Sequence, residues 1–93
     1  MEITYDPAKN EKNIRERRLS FNRAAELDFE SATFLLDKRQ DYGETRRIAI
    51  GYLDGRLHFL CFVEIPIGIR VISFRKANLR EARKHGKPLT LDR

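Results

Sequence analysis

Eight residues of this 93-residue chain have the types and spacing for phosphate chemistry. Arg70, Ser73, Arg75, Lys76 and Arg80 crowd into one short stretch, Glu81 follows directly, His85 comes four residues later, and Arg46 stands apart. A guanidinium presents a planar fork of donors that matches the oxygens of a phosphate. Glutamate and histidine are residue types that move protons. Together they could act on a substrate that is itself anionic, and RNA fits that description. Its own 2′-hydroxyl can attack the adjacent phosphate, so a protein need only orient the groups, neutralise charge and move protons, without a metal. Each residue also has a plainer use: Glu81 as a helix cap, His85 as a charge at a helix C-terminus, and Arg70 as the cross-strand partner of Glu64.

The charge is distributed to match. From Arg70 to the C-terminus eight cations face two anions, a net of +6, while residues 1–69 carry 11 cations and 12 anions, a net of −1. Thirteen of the nineteen cations are arginine, the better match to phosphate. A basic quarter on a nearly neutral body is the footprint of a surface that meets phosphates, although the same charges would also simply solubilise a small domain. The acidic residues from Glu26 to Glu44 read as a solvated face.

These residues need elements to position them. Residues 2–5 read as a strand, and Asp6-Pro7 opens a polar helix running to Arg18, with Asp6 at the N-cap. Phe21, Ala24, Ala25, Leu27 and Phe29 give a second short helix opened by Ser20 or Asn22. Residues 31–36 form a short strand. Residues 46–53 and 56–65 flank Asp54-Gly55, a two-residue hairpin turn, and residues 69–76 follow Pro66-Ile67-Gly68 as a further strand. Residues 77–85 are the last helix, with Asn78 and Glu81 as a capping box and Gly86 as C-cap. The order β-α-α-β-β-β-β-α describes an α+β fold, a mainly antiparallel sheet with helices packed on it.

The hairpin turn pairs Leu53 with Arg56, Gly51 with His58, Ile50 with Phe59 and Arg46 with Val63. Both faces are then largely apolar, as in a strand covered on each side. A three-residue second turn would set Glu64 opposite Arg70 and Cys61 opposite Ser73. Arg46, Ser73 and Arg75 would share one face, and Arg47, Glu64, Arg70 and Lys76 the other. His58 among apolar residues reads as a packed core histidine, and Cys61 as a small buried hydrophobe.

The length suits one domain, residues 1–93, and 41% hydrophobic residues suffice for a core. A single cysteine excludes an internal disulfide and points to a reducing compartment, so a cytoplasmic protein is expected. No apolar run approaches the ~20 residues of a membrane span, and no membrane association is expected. Two separated histidines lack metal-ligand spacing, and P-loop, dinucleotide and serine-elbow motifs are absent, so no cofactor is expected.

Tyr5-Asp6-Pro7-Ala8-Lys9, Asn13, Leu19-Ser20-Phe21, Arg46 with Ile48-Ala49-Ile50-Gly51, Arg70 to Ala77, and Arg80-Glu81 resemble the BrnT family of toxins. The resemblance runs from about residue 3 to residue 85. It implies a fold similar to the RelE toxins and a metal-independent endoribonuclease that arrests growth. It also implies a heteromeric complex with a small DNA-binding antitoxin of the BrnA type. Arg46, Arg70, Ser73, Arg75, Arg80 and Glu81 fall on family motif positions. Where the family carries Lys-His-Gly, this chain has Glu16-Arg17-Arg18, and Tyr5 replaces a tryptophan. The expected roles are Arg46 and Arg75 on the scissile phosphate, Arg70, Ser73, Lys76 and Arg80 on the RNA backbone, and Glu81 or His85 on the proton. The alternative is a catalytically inert basic module of the same fold that holds nucleic acid or a partner.

Overall fold

The computed structural model describes residues 1–91; Asp92 and Arg93, which the single-domain reading includes, lie outside the described residues. Its elements are β1 (Glu2–Tyr5), α1 (Pro7–Arg17), a 3-10 helix (Phe21–Glu26), β2 (Thr33–Leu36), β3 (Arg47–Leu53), β4 (Arg56–Ile65), β5 (Gly68–Lys76) and α2 (Leu79–Lys84). One sheet takes the order β1-β5-β4-β3-β2, with β1 parallel to β5 and every other pair antiparallel. The expected α+β order is therefore present. The second helix differs from expectation in being a single 3-10 segment, opened by Ser20, whose hydroxyl accepts from Asn22 N–H. Leu27 beyond it turns into extended backbone and packs its side chain into the core.

Local chemistry explains the boundaries. Asp6 caps α1 through Ala8 N–H, and Pro7 occupies the first turn, where a missing N–H has no cost. Asp54 and Gly55 take φ of 52° and 73°, the left-handed pair that a tight hairpin requires. The hairpin register follows the expected pairs Leu53–Arg56, Gly51–His58 and Ile50–Phe59, but β3 begins at Arg47, opposite Phe62, so the expected Arg46–Val63 pair lies beyond the strand. Asn78 and Glu81 form a reciprocal capping box on α2.

The second turn corrects the sequence reading. It holds two residues, Pro66 and Ile67, because Ile65 pairs with Gly68 and Glu64 lies opposite Ile69 rather than Arg70. A β-bulge between Cys61 and Phe62, with Ile72 as the extra residue on β5, then restores the expected pairing of Cys61 with Ser73. The one-residue shift moves Arg70 opposite Val63 and onto the face of Arg46 and Arg75. The Glu64–Arg70 pair does not form: Glu64 meets Arg47 at 3.0 Å.

Both sheet faces are covered. Leu19, Phe21, Ala24 and Leu27 cover Ala49, Leu53, Leu60, Phe62, Val71 and Phe74 on one face. Asn13 ties α1 to that side, its buried amide donating to Leu19 O at 2.9 Å and Phe74 O at 3.0 Å. Ala77 and Ala82 cover Ile50, Tyr52, Leu57, Phe59 and Cys61 on the other. The chain beyond α2 closes this end, with Tyr52 donating to Pro88 O and Leu57 N–H to Leu89 O, each at 2.8 Å. Burying such a set of large apolar side chains stabilises the sheet by roughly 1.5–3 kcal/mol each. His58 and Cys61 are both buried, as expected. Helix α2 has only six residues, so the remainder of its face is left to side chains from the 37–46 segment.

Candidate active site

Strand β5 and α2 deliver the first cluster. Arg75 projects over Phe59, with its guanidinium carbon 4.1 Å from the ring centroid. It forks onto Glu81, Nη1 to Oε1 at 2.9 Å and Nη2 to Oε2 at 2.8 Å. The same Glu81 carboxylate accepts the Asn78 N–H at 2.9 Å. The capping box therefore fixes the acid that fixes the arginine. Arg75 holds the Glu81 carboxyl below its usual range, so Glu81 is an ionised acceptor at neutral pH. His85 sits one turn further along, its N–H bonded to Glu81 O at 3.2 Å, and ends α2 before Gly86 turns left-handed at φ 62°. Arg80 is exposed on the first turn.

The 37–46 segment delivers the second cluster on the same face. Glu44 bridges two arginines, accepting Arg46 Nε at 3.1 Å and Arg70 Nη2 at 2.6 Å. Arg46 also lies over the Tyr42 ring at 4.0 Å. Hydrogen bonds from Arg46 and then Arg70 lower the Glu44 carboxyl's affinity for a proton. The Nε of Arg70 is buried without a partner. From Val63, opposite Arg70, to Phe59, opposite Arg75, is four residues, so the clusters stand about 13 Å apart along the strand.

Between them, Asp37 is shut from solvent and accepts a bidentate pair from Arg39 at 2.7 and 2.8 Å. The Arg39 guanidinium keeps the Asp37 carboxyl well below the ordinary carboxylate range. The Cys61 thiol points at the same carboxylate, 3.7 Å away, and burial pushes its pKa up. Arg39 also approaches the Phe59 ring, at 6.0 Å. The expectation that the acids from Glu26 to Glu44 form a solvated face holds for Glu26, Asp28, Glu30 and Asp41, which are exposed, and fails at Asp37 and Glu44, which are spent on holding arginines against the sheet.

The structure thus brings together Arg75 with Glu81, and Arg46 with Arg70. It separates others. Lys76 lies opposite His58 and lines a cavity with Leu19 and Leu53 of the other face, while Ser73 lines a smaller cavity against α1 with Asn13. Sequence reasoning passed over Asp37, Arg39, Tyr42, Glu44 and Phe59. One signal was available: Asp37-x-Arg39 and Glu44-x-Arg46 set opposite charges two apart, the spacing that shares a side in extended chain. Among the described residues no group of three or more His, Cys, Asp and Glu is placed to hold a metal ion, and no helix is long and apolar enough to cross a membrane.

Residues 5–81 match the family described as the ribonuclease toxin BrnT of type II toxin-antitoxin systems. The chain belongs to the BrnT family. The match spans Arg46, Arg70, Ser73, Arg75, Lys76, Arg80 and Glu81 and stops before His85. Membership makes this a ribonuclease-toxin fold whose family works with an antitoxin partner and RNA targets. A search of curated proteins gave no match. In BrnT terms, the two arginine clusters occupy the sheet face that α2 only half covers.

Proposed function

We propose that the chain is a metal-independent endoribonuclease toxin that cuts RNA by transesterification, and that the Arg75–Glu81 fork is its reacting centre. The observation that carries this reading is the fork itself. A bidentate carboxylate is a stand-in for the phosphate oxygens that a guanidinium recognises, and it sits on an open face held by an aromatic ring and a capping box.

In this mechanism Arg75 turns from Glu81 to the scissile phosphate. Glu81, ionised and released, accepts the proton of the 2′-hydroxyl while O2′ bonds to phosphorus. The bond from phosphorus to O5′ breaks, and the leaving oxygen takes a proton from His85. The products are a 2′,3′-cyclic phosphate and a 5′-hydroxyl. Arg46 and Arg70, joined through Glu44 and about 13 Å along the strand from Arg75, take a phosphate further along the RNA rather than the adjacent one, which divides the clamp expected of Arg46 and Arg75 together. Arg80, Ser73 and Lys76 contact the backbone on either side. A BrnA-like antitoxin in the cytoplasm would hold the enzyme inactive.

A second reading, an inert RNA-binding module, draws on one observation: Glu81 is already committed to a helix cap and an ion pair. Incubation of wild type and Arg75→Ala with end-labelled RNA in excess EDTA separates the two. Cleavage by wild type, falling ~100-fold or more in the folded variant, supports the nuclease; RNA binding without cleavage by wild type moves the assignment to the inert module.

A further inference from the structure

The sheet face opposite the fork holds a cavity of about 720 Å³ between the end of α1 and the β3–β4 hairpin. Buried Leu19 and Leu53 contribute apolar lining, and six cations surround it: Arg17, Arg18, Arg23, Arg56, Arg75 and Lys76. Asp54 is the single acid on its wall, and it is engaged by Arg23 at 2.8 Å. Three of the cations are fixed by the fold, Arg75 among them through its fork onto Glu81. Arg23 also meets Glu26 at 3.0 Å, and Arg56 donates to Leu57 O and Ala77 O at 2.7 and 3.1 Å. Arg17, Arg18 and Lys76 make no ion pair among the described residues.

Arg18 carries the second observation. It adopts φ 56°, ψ 35° as the residue that ends α1, its N–H bonded to Ile14 O. That left-handed conformation is free for glycine and strained for a side chain with a Cβ. A strained residue whose long cationic side chain lines a polar cavity is the pattern of a position kept for what its side chain meets. Arg75 borders this cavity while its guanidinium holds Glu81 on the other side, so the cavity and the reacting centre share one residue.

We propose that this cavity is a binding site for the RNA strand beside the cleaved bond. It takes one nucleotide, with a phosphate among Arg17, Arg18 and Lys76 and the base against Leu19 and Leu53. The volume is of the size that holds a small organic ligand. The strand would then wrap the edge of β5 from the Arg46–Arg70 cluster past Arg75 into the cavity. The inference rests on the RNA reading of the preceding section but not on catalysis. The competing explanation is that Arg17 and Arg18 only neutralise the negative end of α1.

The test uses a fluorescein-labelled, single-stranded 2′-O-methyl RNA, which lacks the attacking hydroxyl, titrated with full-length wild type, Arg18→Gly and Arg17→Ala at several salt concentrations. Thermal melting of each protein is recorded beside it. The expected result for Arg18→Gly is opposed movement: a higher melting temperature from the relieved φ, with RNA binding weakened roughly three- to tenfold and the salt dependence reduced by about one counterion. Arg17→Ala shows the same loss of binding. A more stable Arg18→Gly that binds RNA as wild type does overturns the cavity site and leaves the helix-end explanation, as does failure of wild type to bind the oligonucleotide. Loss of binding in both variants, with no cleavage of ordinary RNA by wild type, keeps the cavity and removes the nuclease.

Discussion

Removing the Arg39 side chain isolates a carboxylate that the fold has closed off from water. The Asp37 side chain has no solvent exposure, whereas that of Arg39 is 64% exposed. Arg39→Ala deletes two charge-assisted bonds, from Nε at 2.8 Å and Nη2 at 2.7 Å. It leaves the residue 39 amide at 3.2 Å, the Cys61 thiol at 3.7 Å and the Tyr42 side chain. Breaking a fully buried pair costs ~3–5 kcal/mol and an exposed pair ~0–1 kcal/mol. With one partner sealed and the other in water, the expected cost is about 2–3 kcal/mol, or a fall of roughly 10–20 °C in Tm for a domain of this size. Circular dichroism during heating and urea titration, repeated from pH 7 to pH 3, measures it. The pH dependence has a definite sign. Arg39 depresses the Asp37 pKa in the fold, so the wild type draws stability from this group above the unfolded pKa of about 4 and loses it as pH falls through the folded value. In the variant, burial favours the protonated acid instead. The gap between the proteins is widest at pH 7 and narrows as pH falls through the variant's raised folded pKa toward the wild type's depressed one. A variant within about 0.5 kcal/mol of wild type at pH 7, or a gap that widens on acidification, would refute the reasoning.

Glu81→Gln keeps a cap acceptor for Asn78 N–H but has no base to offer; RNA cleavage should fall ~100-fold or more with a Tm change of only a few degrees, read by gel and by melting. Glu44→Gln removes the anion between Arg46 and Arg70; RNA affinity at low salt should rise about two- to fivefold, and unchanged affinity would take those arginines off the RNA path. A Cβ at residue 68 would collide with the backbone of Glu2, where β1 lies against β5. Gly68→Ala should therefore cost about 2 kcal/mol or more and expose the amides of β1 to hydrogen exchange.

Much of this fold is written locally. Asp6-Pro7, Asp54-Gly55 and the Asn78–Glu81 box each fix an element through one or two residues, and each stands where its chemistry requires. The two-sided apolar pattern of the hairpin likewise foretold two cores. The two-residue turn and the bulge at Ile72 were not legible, because nothing in Val-Ile-Ser marks an extra residue: the turn sets Arg70 opposite Val63 rather than Glu64, and the bulge keeps Ser73 opposite Cys61 and Arg75 opposite Phe59. The candidate site was half legible. Arg75 and Glu81 are six apart and joined by a cap, so proximity follows from the helix start. Glu44, Asp37 and Arg39 reach the site across the sheet, through pairings of sequence separation 24 and 26 that no local pattern encodes.

The most direct test of the central claim is a single substitution in the substrate. Once a cleavage position is mapped, the same RNA is prepared with a 2′-deoxynucleotide at that position and incubated with wild-type protein in excess EDTA. The account predicts binding as before, no cut at that bond, and cyclic phosphate ends at every position that still carries its 2′-hydroxyl. Continued cleavage at the deoxy position would contradict it, since the attacking oxygen would then have to come from elsewhere.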